Sequence, residues 1–176
     1  MKSSVKQAFV MPILVLTAIC IVISGALAAT NMVTEPIIQE ADAVRAEAAR
    51  KEVLPEAEGF TQITAEGGPS SVTEIYKADN GAGYVFTVVT TGYGGEIKII
   101  CGIDGDGLIT AVNMLQHSET QGMGSKCAEE PYSSQYIGKG SSLEGIDAIS
   151  GATVTSTAYI GAIRDVFAAY EIVKGA

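Results

Sequence analysis

Histidine, cysteine and basic side chains are scarce in this chain, and each scarcity removes a class of function. There is one histidine, His117, in 176 residues, too few for a conventional catalytic zinc site, which needs several nitrogen or sulfur ligands. Glu119 stands two positions on, a pairing that more often serves a structural hydrogen bond than acid–base work, and no activated serine or cysteine lies beside it. The three cysteines, Cys20, Cys101 and Cys127, are odd in number and lack metal-site spacing, so they form neither a disulfide framework nor a zinc site. Cys101 and Cys127 would pair only in an oxidising compartment and only if their Cα atoms approach closely, which spacing does not decide. Eleven basic residues against twenty acidic ones leave a net charge of −9. No basic patch interleaved with aromatics is present, and such a surface repels phosphate backbones, which excludes nucleic acid as a partner. No internal repeat of solenoid length occurs.

Charge is also absent from Ala8 to Ala29, where Val, Ile, Leu and Ala dominate. As a helix this run spans about 33 Å, enough for a bilayer core of roughly 30 Å. Pro12 falls near its start, where a proline is tolerated. Lys2 and Lys6 precede the run, while Glu35, Glu40 and Asp42 follow it. The lysine bias predicts a cytoplasmic N-terminus, residues 1–7, and a remainder outside the cell's inner, cytoplasmic membrane. Ala26-Leu27-Ala28 resembles a signal-peptide cleavage site, but the apolar run exceeds the usual length of such a segment and favours a retained single-pass anchor over 8–29. Cys20 lies deep in the run after Ile19, which argues against a lipoprotein signal.

Residues 30–58 read as a stalk. Glu35 to Leu54 is a polar, alanine-rich helix opened by Pro36 in its first turn and closed by Pro55. Gly59 to Ser71 reads as a connecting region turned by Gly67-Gly68-Pro69. From Val72 the period changes to that of strands: Val72–Lys77, Tyr84–Thr90, Ile97–Ile103 and Leu108–Leu115. Asp104-Gly105-Asp106-Gly107 joins the last two as a hairpin turn; it lacks the glutamate that a twelve-residue calcium loop requires. Pro131 to Gly140, with Tyr132, Tyr136 and Ile137, is a short amphipathic cover. The final segment sets Tyr159, Ile163, Val166, Phe167, Tyr170 and Val173 on one helical face. The fold class is therefore α+β: a transmembrane helix, a helical stalk, then an antiparallel sheet over 59–176 closed by a C-terminal helix.

Two stretches remain. Gln116 to Lys126 directly follows a strand, and its glycines can bring backbone N–H groups close to a ligand. Asp147-Ala148-Ile149-Ser150-Gly151-Ala152-Thr153 precedes the final helix, so Thr153, Thr155 and Ser156 fall at or near a helix N-terminus. Local chemistry leaves two readings open there: a serine or threonine capping the helix, or backbone N–H groups and the positive dipole end holding a phosphate.

Together these stretches resemble a known family. His117-Ser118-Glu119-Thr120-Gln121-Gly122-Met123-Gly124 is similar to the His-x-Glu-Thr-Pro-Gly-Leu-Gly loop of bacterial FMN-binding domains. Asp147 to Thr153 is similar to their Asp-x-x-Ser/Thr-Gly-Ala-Thr flavinylation motif, and Gly92-Tyr93-Gly94-Gly95-Glu96-Ile97 to their Gly-Tyr-Gly-Gly-x-Ile stretch. The likeness extends from the membrane segment to the last helix. Most specifically it is to the G subunits of Rnf ion-translocating electron-transport complexes, and next to the C subunits of sodium-pumping NADH:quinone reductases. Gln121 stands where proline is usual and Met123 where leucine is usual.

The resemblance implies covalent FMN on Thr153 through a phosphoester, attached by a separate flavin transferase. It implies that Ser150, Gly151, Ala152 and Thr155 hold the phosphate, that Glu119 and Thr120 hydrogen-bond the flavin, and that Met123 packs on it. The chain would relay electrons among other membrane subunits of a ferredoxin/NAD oxidoreductase that moves Na⁺ or H⁺, with no turnover alone. The resemblance also leaves a C-subunit-like component of a Na⁺-pumping NADH:quinone reductase as an alternative, and the residues leave two more: a flavin-free membrane-tethered binding module, and a free-standing flavin reductase. The latter lacks a Gly-x-Gly-x-x-Gly fingerprint running from a strand into a helix.

Overall fold

The computed structural model describes the backbone of residues 2–175, and the side chains of these except 2–10, 33 and 36–43. Two compact units are present, Met1–Arg45 and Ala46–Ala176.

The first unit lies in one α-helix, α1, Lys2–Val53, which continues into the second. Two separate helices were expected, the second opened by Pro36. The helical backbone instead runs through position 36, whose side chain lies outside the described residues. The apolar run before it and the alanine-rich stretch after it both propagate helix, which outweighs the lost N–H and the ring's crowding of the preceding turn. Within α1, Met11–Met32 is long and apolar enough to cross a membrane, and none of it is buried by protein.

The second unit is an antiparallel meander with a helix on one face. Its strands are β1 Phe60–Ile63, β2 Val72–Ala78, β3 Gly83–Thr91, β4 Glu96–Asp104 and β5 Ile109–His117. They lie in the sheet in chain order. β1 is a correction to the connecting region expected over Gly59–Ser71. It pairs Phe60 with Ala78 and Ile63 with Ile75, and four residues are too few for alternation to stand out in sequence. At the β4–β5 hairpin, Asp104 Oδ1 accepts the N–H groups of Asp106 at 3.0 Å and Leu108 at 2.9 Å. That carboxylate is engaged as an Asx-type turn.

Strand alternation sorts side chains between two cores. Phe86, Val88, Ile97, Ile99, Cys101 and Ile103 face α3, Thr153–Val173, which buries Tyr159, Ile163, Val166, Phe167, Tyr170 and Val173 against them. Val85 and Ile100 face the opposite side and pack with Val53, Leu54 and Ala57. The end of α1 thus completes the domain: Val53 is fully buried, its carbonyl accepts Thr110 Oγ1, and Gly102 makes room, since a Cβ there would meet the Val53 backbone. Between β5 and α3, a 3-10 turn at Gly124–Ala128, the short helix α2, Glu130–Ser133, and a 3-10 turn at Ser134–Tyr136 cover the larger core. Tyr132, Tyr136 and Tyr159 meet there, their ring centroids 5.2 to 5.6 Å apart. Cys101 and Cys127 lie in this core as free thiols.

Candidate functional site

α3 begins without a side-chain cap. Its N-cap is Ala152, which has no side-chain oxygen, so the reading of Ser or Thr as an ordinary cap is corrected. The first helical bond runs from the Ser156 N–H to the Ala152 carbonyl at 2.9 Å. The N–H groups of Thr153, Val154 and Thr155 therefore precede the hydrogen-bond ladder, at the positive end of a 21-residue helix.

The turn before the helix is held in place from below. Ser156 Oγ accepts the Ile149 N–H at 3.1 Å, and the Ala152 N–H bonds the Ile149 carbonyl at 2.9 Å. Gly151 takes φ +84°, a conformation that disfavours any Cβ. That glycine is where the second loop arrives: a Cβ on it would lie 3.3 Å from Met123 Cε.

The second loop leaves β5 at His117, whose Nδ1 accepts the Glu119 N–H at 3.3 Å. Thr120 to Met123 forms a turn, with the Met123 N–H on the Thr120 carbonyl at 3.1 Å. Gly122, at its third position, has φ +79°, as a type II turn requires, and Gln121 occupies the second position that proline favours. The Gly122 N–H also bonds Ser125 Oγ at 2.9 Å.

Between these loops lies a cavity of about 420 Å³, lined by Tyr93, Glu119, Thr120, Met123, Gly124 and Gly151 through Thr155. The structure brings together Thr153, Gly151, Ala152, Thr155, Glu119, Thr120 and Met123 from the sequence analysis. It leaves Ser150 exposed and off the cavity wall. Thr153 is exposed, whereas Thr155 and Ser156 are fully buried. Of the hydroxyls in the first turn of α3, only that of Thr153 combines access from solvent with a place on the cavity wall.

Two buried polar atoms in this wall have no partner: Thr155 Oγ1 and Glu119 Oε2. Such atoms cost stability unless something satisfies them. Glu119 is held by its other oxygen, which accepts the Gly94 N–H at 3.1 Å. Glycines surround it: a Cβ on Gly92 or Gly124 would collide with its carboxylate, and one on Gly94 with its backbone. Beneath the site, burial pushes the Cys127 thiol up in pKa; a contact with Ser156 Oγ at 3.6 Å opposes this and the Glu119 charge adds to it.

Gly124, one of the loop glycines expected near a ligand, also lines the cavity, as do Tyr93 and Val154, to which sequence reasoning gave no role. Tyr93 had a signal, as a lone aromatic between glycines that is 77% exposed. Val154, 57% exposed on an otherwise apolar helix, had none that separates it from ordinary surface.

Residues 92–168 match the FMN-binding domain family. The chain is 34% identical over 186 residues to the G subunit of the Na⁺-translocating ferredoxin:NAD⁺ oxidoreductase complex of Acetobacterium woodii, covering 90% of this chain and 89% of that protein. It is 31% identical to the G subunit of the ion-translocating oxidoreductase complex of Methanosarcina acetivorans, covering 86% and 89%. Among solved structures it resembles the C subunit of the Na⁺-translocating NADH-quinone reductase of Parabacteroides distasonis, with a TM-score of 0.55 and 17% identity over 76% of this chain and 84% of that one, a likeness of fold. With the FMN-binding domain spanning both loops of the cavity, the chain belongs to the family of G subunits of ion-translocating oxidoreductase complexes.

Proposed function

We propose that this chain is the membrane-anchored flavoprotein subunit of an ion-translocating ferredoxin:NAD oxidoreductase complex, carrying FMN on Thr153 Oγ1 through a phosphoester. One observation carries the site: an exposed threonine hydroxyl stands on the wall of a cavity, at an uncapped helix start, beside the buried unpartnered Thr155 Oγ1. FMN supplies the chemistry, accepting and donating electrons on its ring.

The chain's own residues bind and orient that group. The N–H groups of Thr153, Val154 and Thr155 hold the phosphoester charge with the helix dipole, and Thr155 Oγ1 donates to it. Gly151 and Ala152 carry no side chain large enough to block the approach. Met123 lays its thioether on the ring, while Glu119 and Thr120 offer it polar contacts. Ser150 lies outside the cavity wall.

The electrostatics give a reason for a covalent bond. Among the described residues no lysine or arginine lines the cavity, Glu119 brings a carboxylate into it, and the protein's net charge is −9. No cationic side chain reinforces the helix N-terminus in holding the phosphate there, and a bond made by a flavin transferase would supply the retention. Tyr93, Met123 and Val154, all more than half exposed, form an apolar rim through which the other members of the complex reach the cofactor.

The helix over Met11–Met32 serves as a retained single-pass anchor, with residues 1–7 in the cytoplasm and the 59–176 domain outside the inner membrane, joined by a stalk over 30–58. Lys2 and Lys6 before the span support this orientation. The test is intact mass with peptide mapping after co-expression with a flavin transferase. One FMN on the peptide containing Thr153 is expected; an unmodified mass overturns the covalent assignment.

A further inference from the structure

Glu119 is more than a polar neighbour of the cofactor site. It is 9% exposed, and its two oxygens have different surroundings. Oε1 accepts the Gly94 N–H at 3.1 Å, whereas Oε2, packed against Gly124, is buried without a partner, on a residue that lines the cavity. The glycines at 92, 94 and 124 fit closely around it and hold the side chain in place. Among the described residues the cavity wall beside it contains no lysine or arginine. A merely structural clip needs one oxygen and gains nothing from burying the second.

Resting on the FMN reading above, we infer that Glu119 is a fixed carboxylate beside the flavin, and that its charge holds the flavin's reduction potential low. Near pH 8 the reduction adds two electrons and takes one proton from solvent, leaving one negative charge on the ring. A carboxylate close by in a poorly solvated cavity opposes that charge and favours the oxidised form. The glycine cradle keeps the effect constant by preventing the side chain from swinging into water. Glu119 is thus a positioning residue with an electrostatic task, and the low potential suits exchange with low-potential donors.

The two roles separate by substitution. Glu119→Gln keeps the shape and the acceptor for Gly94 but removes the charge. Glu119→Asp keeps the charge but draws it back from Gly94. Full-length protein and both variants, co-expressed with a flavin transferase, are titrated with dithionite near pH 8 while flavin absorbance is followed. Flavin content is measured on the same samples by fluorescence after denaturation. The expected result is flavin in the parent and both variants, with Glu119→Gln shifted to higher potential by about tenfold in the oxidised-to-reduced ratio, about 30 mV for a two-electron couple. Glu119→Asp stays nearer the parent. Equal potentials for parent and Glu119→Gln, with flavin present in both, overturn this inference and leave the FMN reading intact. Larger displacement by Asp than by Gln assigns Glu119 a structural role only and overturns it as well. Absence of flavin from the parent overturns the FMN reading and this inference together.

Discussion

Glu119 Oε1 accepts the backbone N–H of Gly94 at 3.1 Å, tying the turn after β3 to the loop after β5 beside the cavity. The two strands are not neighbours, since β4 lies between them. A Cβ on Gly94 would lie 2.8 Å from Glu119 Cα, so Gly94→Ala must displace the loop. The expected cost is about 1–3 kcal/mol of stability, together with reduced flavin loading. Chemical denaturation and flavin content after co-expression with the transferase measure the two effects.

Thr155→Val separates site from scaffold. Thr155 Oγ1 is buried and unpartnered, so an isosteric methyl removes an unsatisfied group and does not destabilise the flavin-free protein. Flavin loading should nonetheless fall if the hydroxyl contacts the phosphate as proposed. A variant that loses stability without losing flavin would assign Thr155 to packing instead.

The turn at Thr120–Met123 predicts the effect of restoring its missing proline. Gln121 sits at its second position, where φ near −60° suits proline, and its N–H makes no hydrogen bond among the described residues. Gln121→Pro should stabilise the domain by about 0.4–1 kcal/mol through the unfolded chain, measured as a higher denaturation midpoint.

These cases show what was legible. The helical face from Tyr159 to Val173 and the strands from β2 to β5 were readable because burial imposes a period on sequence. β1 was not, because four residues carry too little pattern. The single α1 helix was not, because Pro36 is a start signal in one context and a tolerated interruption in another. At the site, the two loops that line the cavity were legible through their motifs. The bond from Gly94 to Glu119 was not, since it joins residues 25 apart whose closeness depends on the sheet. Nor was the missing cap of α3: a run of Ser and Thr near a helix start does not reveal which residue occupies the capping position.

Alkaline pH should destabilise the domain through its buried acids. Burial raises the pKa of Cys101, Cys127, Tyr132, Tyr136 and Tyr159. The folded protein thus prefers their protonated forms. Their contribution is complete below the ordinary thiol and phenol values, about 8.5 and 10. Above these the unfolded chain ionises first, and the contribution is lost progressively until the folded values are reached. Denaturation midpoints should be insensitive to these groups between about pH 6 and 8 and fall above about pH 9. Tyrosinate absorbance of the Tyr132–Tyr136–Tyr159 cluster should appear only with unfolding.

The end of α1 makes a separate prediction. Val53, Leu54 and Ala57 fill the second core, so a fragment starting at Gly59 exposes that face of the sheet. A fragment starting at Ala46 retains it. Removing a buried Leu-sized side chain costs about 2–5 kcal/mol, and loss of all three should leave the shorter fragment poorly folded by circular dichroism and prone to aggregate.

The central claim is that one hydroxyl, that of Thr153, tethers the cofactor. The most direct measurement is flavin fluorescence in a denaturing gel, after co-expression of the full chain with a flavin transferase. A fluorescent band in the parent that disappears in Thr153→Ala, while the protein remains folded and membrane-bound, is the predicted result. An equally fluorescent band in Thr153→Ala, or a dark parent band, would contradict it.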